Sequence, residues 1–100
     1  MSLTSEDVFE ALRVVEDPEL GMDVVDLGLV YDVIIDGADV KVIYSLTSMG
    51  CPAGQQIQEQ IHDVAASIEG VENVSTELTF TPPWTPEMMS DEAKAALGIF

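Results

Sequence analysis

Residues 40–54 constrain this chain more than any other stretch. Val40, Val42, Tyr44 and Leu46 alternate with Lys41, Ile43, Ser45 and Thr47, and a period of two is the signature of a strand. Ser48-Met49-Gly50-Cys51-Pro52-Ala53-Gly54 follows as a tight loop. Pro52 has a fixed φ and no N–H, so it suits the first position of a helix. Ile57, Ile61, Val64, Ala65 and Ile68 then recur at helical spacing, which predicts a helix over residues 52–69 with Gly70 as its stop. Alternation resumes over residues 72–81, with Val74, Thr76, Leu78 and Phe80 on one side and Ser75, Glu77 and Thr79 on the other. A strand, a helix and a strand in this order form a crossover unit, right-handed if the strands are parallel.

The flanking segments complete one domain. Residues 3–16 read as a helix capped by Thr4, with Asp7 three residues on, Leu3 and Val8 at staple spacing, and Val8, Leu12 and Val15 as its apolar stripe. Asp17-Pro18 ends it, because the residue before proline avoids the helical region. Residues 17–23 read as a turn-rich connector. Residues 24–31 are mostly apolar around a lone acid, Asp26. Residues 29–35 and 40–47 read as strands joined by the hairpin signal Asp36-Gly37-Ala38-Asp39. Pro82-Pro83-Trp84-Thr85-Pro86 is rigid and extended. A short helix over residues 87–97 follows, with Ser90 as cap, Asp91 and Glu92 in its first turn and Gly98 at its end. The class is α+β: a two-layer sandwich, helix–strand–strand–helix–strand–helix, with a small mixed sheet. If Leu46 and Leu78 face the helices, Thr47 and Glu77 fall on the open face of that sheet.

Charge narrows the partners. Nineteen acids against three bases leave a net charge of −16 on 100 residues. Such a surface repels phosphate backbones, so nucleic acid is excluded as a partner. It steers basic proteins, or it suits a high-salt habitat in which salt screens the self-repulsion. No apolar run reaches the ~20 residues of a membrane span. The N-terminus is polar and acidic, and the single cysteine fits a reducing compartment, so a cytoplasmic location is expected.

The chemistry centres on Cys51. At a helix N-cap its thiolate, the reactive and metal-binding form, would be favoured by the unpaired N–H groups and the helix dipole. The alternative is a packed cysteine serving as a small hydrophobe. His62, the only histidine, lies eleven residues on, about 16 Å along the helix axis at ~1.5 Å per residue, too far to be its base. An iron–sulfur cluster typically takes about four cysteines, so one thiolate implies a transient or shared site. A homodimer would bring two thiolates, and Asp26, Glu77 or a partner protein could add ligands. Asp26 itself reads either as a turn carboxylate or as a charge beside the site.

Asp17-Pro18-Glu19, residues 24–31, Leu46-Thr47 to Cys51-Pro52, and Pro82-Pro83-Trp84 with Met89-Ser90 and Ala96-Leu97-Gly98 together resemble the SufT/PaaD-like family of iron–sulfur cluster carrier assembly domains. The resemblance spans almost the whole chain. It implies a non-enzymatic accessory factor that matures or delivers clusters to apo-proteins, working with the iron–sulfur assembly machinery. The family's cysteine matches Cys51, its motif aspartate Asp26, its strand threonine Thr47 and its third-strand acid Glu77. Thr81 stands where family members often carry an acid. A transient cluster on Cys51, with Asp26, Thr47 and Glu77 shaping the pocket, is therefore expected. Two other readings stay open. One is a non-metal adaptor or scaffold for assembling a multicomponent enzyme such as a phenylacetyl-CoA oxygenase, docking through Trp84, Met88 and Met89. The other is a thiol enzyme with a base from a second subunit.

Overall fold

A computed structural model describes residues 3–18, 20–47 and 54–98. Thr4 opens the first helix: its Oγ1 accepts the Asp7 N–H at 3.2 Å, and the Asp7 carboxylate accepts the Thr4 N–H at 3.1 Å. The reciprocal pair satisfies donors that a helix start leaves without intrahelical partners. Helix α1 is Ser5–Leu12, so it stops at Leu12 rather than at residue 16. Val14 is 71% exposed while Val15 is buried, because the chain has already left the helix. The Val15 carbonyl accepts the Val24 N–H at 2.9 Å, and β1 (Glu16–Asp17) pairs antiparallel with β2 (Met22–Asp23). The expected connector is thus a two-strand ladder, too short to show a periodicity in sequence.

Strands β3 (Val30–Asp36) and β4 (Asp39–Tyr44) form the expected hairpin, and β5 (Asn73–Leu78) joins β4 in parallel. The sheet order is β3-β4-β5. Helix α2 (Gly54–Ala66) connects β4 to β5, so the crossover read from the sequence is present. Val8, Leu12, Val40, Val42, Ile57 and Ile61 fill the space between α1, α2 and one face of the sheet. That is the two-layer α+β sandwich the sequence implied. Gly54 lies close to the exit of β4: a Cβ there would stand 2.8 Å from Leu46 Cδ1.

Strand ends moved. β4 ends at Tyr44, and Ser45, expected on the open face, is fully buried with its N–H donated to the Leu29 carbonyl at 2.7 Å. Leu78, expected against the helices, is 45% exposed at the end of an edge strand. The expected helix start at Cys51-Pro52 lies outside the described residues.

After β5 the chain passes a cis Thr81–Pro82 bond and returns across residues 24–28. A 3-10 turn (Pro86–Met88) leads to α3 (Asp91–Leu97), where Ser90 Oγ accepts the Ala93 N–H at 3.1 Å and Gly98 closes the helix in the left-handed region. Both terminal signals were correctly placed by sequence, but the helix begins at Asp91 rather than at residue 87, since Pro86–Met88 forms a separate turn. Among the described residues no helix is long and apolar enough to cross a membrane.

Candidate functional site

The turn carrying Asp26 is built by Asp23. Asp23 Oδ1 accepts the Asp26 N–H at 2.8 Å, and its carbonyl accepts the Leu27 N–H at 3.1 Å. This is the local side-chain cap that short acids provide. Asp23, not Asp26, therefore holds the turn-capping role. The Asp26 carboxylate, with only 17% of its side chain exposed, pairs with Arg13 Nη1 at 3.2 Å. Arg13 Nε also meets Glu10 at 3.3 Å. Facing Asp26 raises the pKa of the Arg13 guanidinium above its ordinary value. Partial burial, and secondarily the nearby Asp26 charge, pushes the Asp23 carboxyl up, against the lowering effect of its bond to the Asp26 N–H.

The C-terminal strap of residues 82–90 clamps the same turn. The Ser90 N–H donates to the Asp26 carbonyl at 2.8 Å. Trp84 Nε1 donates to the Leu27 carbonyl at 2.6 Å, and the Tyr31 hydroxyl to the Pro82 carbonyl at 2.7 Å. Gly28 sits at φ +76°, and any Cβ there would run into the Met88 carbonyl. Asp26 is thus held at its N–H, its carbonyl and its carboxylate by three separate parts of the chain.

Thr47 is half-buried in the bend after β4. The bond from the Ser45 N–H to the Leu29 carbonyl brings this exit alongside the segment that leaves the Asp26 turn. Glu77 lies opposite Ile43 on the open face, and its carboxylate meets Lys41 Nζ at 3.1 Å. Lys41 is two residues nearer the hairpin than Ile43, so this carboxylate is drawn away from the Thr47 end. The ion pairs of Asp26 and Glu77 go to Arg13 and Lys41, not toward one centre. Cys51 lies outside the described residues. His62 is an exposed residue of α2, its Nδ1 3.5 Å from Asp63. Among the described residues no three His, Cys, Asp or Glu side chains are grouped to hold a metal ion. They therefore do not form a resident cluster site by themselves.

The residues missed in sequence were Arg13, Asp23 and Trp84 in its inward role. Asp23, three positions before Asp26, carried a turn-cap spacing. Arg13, one of three cations in the chain, was visible only as a scarce charge.

Residues 5–76 match the family model described as iron–sulfur cluster assembly protein. The chain belongs to this iron–sulfur cluster assembly family. A family relative, the Fe-S protein maturation auxiliary factor SufT of Staphylococcus aureus, is 49% identical over 84 residues, 83% of this chain and 96% of that protein. A crystal structure of a domain of unknown function (DUF59) from Bacillus anthracis superposes with a TM-score of 0.91 at 39% identity, covering 96% of this chain and 92% of that one. A conserved hypothetical protein from Thermotoga maritima is 50% identical, with a TM-score of 0.84 over 98% of this chain and 99% of its own. The family model ends at residue 76, before the strap, while these two structures, covering 96% and 98% of this chain, extend over it.

Proposed function

We propose that this chain is an accessory factor in iron–sulfur cluster assembly that helps mature apo-proteins, with the cluster as its cargo and Cys51 as the transient ligand or transfer point. The likeness to a maturation auxiliary factor over nearly the whole chain carries this reading. The chain enters α2 at Gly54, three residues after Cys51, and a nearby helix start favours thiolate over thiol. One thiolate leaves most of a cluster's positions to other donors, so the remaining ligands come from the donor scaffold, the client or a second copy. Asp26, held rigidly by Arg13 and the strap, and Thr47 at the exit of β4 shape the approach to Cys51. Glu77, drawn toward Lys41, acts from the open face of the sheet. The site requires no catalytic turnover, only exchange of thiolate ligands, and a cytoplasmic setting with assembly machinery and apo-protein clients as partners.

The adaptor reading has less support. Two of the side chains it would use for docking turn inward: Trp84 donates to the Leu27 carbonyl, and Met89 is buried.

Anaerobic reconstitution with iron and sulfide, read by absorbance and native mass and followed by transfer to an apo-ferredoxin, tests the proposal. The expected result is a labile cluster and a measurable transfer rate for the parent chain, with both lost in a folded Cys51→Ala variant. Undiminished transfer by Cys51→Ala would overturn the role of Cys51.

A further inference from the structure

The face of the sheet turned away from the helices carries Glu77 at one corner and, beyond it, residues that the proposed cluster transfer does not use. Strand register lays nine residues on it in three rows. They run Asp32–Ile43–Glu77, Ile34–Lys41–Ser75 and Asp36–Asp39–Asn73 across β3, β4 and β5. Strands about 4.8 Å apart, with same-face residues roughly 7 Å apart along each, make a patch on the order of 10 by 14 Å. Ile34 is 47% exposed and Ile43 half-buried, and they sit diagonally to each other, each next to Lys41 at the centre. Each lies between two carboxylates, Ile34 between Asp32 and Asp36 along β3 and Ile43 between Asp32 and Glu77 across the row, and Asp39 is the fourth acid of the patch. The one ammonium, Lys41, is bound to Glu77 at 3.1 Å, leaving three net negative charges. Asp39 is braced by Asn73 Nδ2 at 2.8 Å, and Asp32 accepts the Val33 N–H at 2.8 Å, so two of the acids are oriented. A shallow groove of about 270 Å³ runs past Ile34, Asp36, Asp39, Lys41, Asn73 and Ser75.

We propose that this face docks a segment of a partner protein in which lysine or arginine residues flank aliphatic ones. Charge complementarity selects that occupant. Two isoleucines, each with a carboxylate on either side, match aliphatic side chains flanked by cations. A second copy of this chain would bring three negative charges against three, so the face repels itself. A patch of this size fits one short strand or helical turn and lies well below the area of a standard interface, so the contact is weak. That suits a contact made and released during cluster hand-over.

The test titrates the isotope-labelled full chain with a seven-residue peptide of alternating lysine and leucine, followed by amide chemical shifts, with an alternating glutamate–leucine peptide as control. Shifts centred on Ile34, Lys41, Ile43 and Ser75, weakened at least tenfold by the double change Ile34→Ser and Ile43→Ser, are expected. Lys41→Gln frees the Glu77 carboxylate and should tighten binding severalfold, a response that a purely apolar patch or a misfolded variant would not give. Shifts spread evenly over the acids of α1 and α2, with affinity indifferent to both changes, would overturn the proposal. So would sedimentation showing a dimer of the free chain that Ile34→Ser dissolves.

Discussion

Asp23 is a carboxyl whose ionisation bears on the fold around Asp26. Its carboxyl is half-buried and faces Asp26, and its pKa is raised chiefly by lost hydration. A raised carboxyl pKa means that the native state holds the proton more tightly than the unfolded chain. The associated stability is present at acid pH and is lost as pH rises through the folded-state pKa. Asn keeps the acceptor for the Asp26 N–H and removes the charge. Asp23→Asn is therefore expected to flatten the dependence of the unfolding midpoint on pH across the carboxylate range, without lowering stability at neutral pH. A variant with unchanged pH dependence would remove Asp23 from this role. Gly28 sets a second residue-scale expectation. Gly28→Ala forces a side chain into positive φ and against the Met88 carbonyl, which should cost about 3 kcal/mol in denaturant unfolding.

Elements are held by their ends and by the strap. The capping box of α1 was legible in four letters, Thr4-Ser5-Glu6-Asp7, because its bonds join residues three apart. Thr4→Ala should lower stability by about 1 kcal/mol, measured by urea denaturation. The strap is different. Trp84 reads in sequence as a surface docking residue, yet its indole N–H is bonded to Leu27, 57 positions away. Trp84→Phe keeps much of the ring's bulk but leaves that carbonyl without its donor. A loss of about 1–2 kcal/mol is expected, with the Leu27 and Gly28 amides exchanging faster in hydrogen-exchange measurements.

At the scale of the molecule, the dominant fact is the charge. Of the three basic residues, Arg13 and Lys41 are committed to ion pairs. The remaining field is repulsive almost everywhere on the surface, and added salt screens it over a Debye length of about 10 Å at 0.1 M. The unfolding midpoint is therefore expected to rise with sodium chloride. Each 1 kcal/mol of relieved repulsion should appear as about 4–8 °C in thermal scans. A midpoint that falls with salt would instead assign the balance to the Arg13 and Lys41 ion pairs. The same screening should weaken the cationic peptide on the open sheet face, so salt is expected to stabilise the chain while loosening its partner.

What the sequence determined by itself is what depends on neighbours a few positions apart. The alternation of Val40 to Tyr44, the stripe Ile57, Ile61 and Ala65, the Thr4 and Ser90 caps and the Asp36–Asp39 hairpin all have local causes, and together they fixed the two-layer architecture. The local pattern singled out Cys51 and Asp26, and family resemblance matched both, together with Thr47 and Glu77, to the family's site residues. Only the tertiary structure decided which group each acid faces. Arg13 reaches Asp26 because α1 packs beside the 23–28 turn, Lys41 takes Glu77 because β5 lies parallel to β4 in one register, and Ser90 meets Asp26 because the strap doubles back. Ion pairs and long-range hydrogen bonds carry no period along the chain, so their partners become visible only when the backbone has been folded.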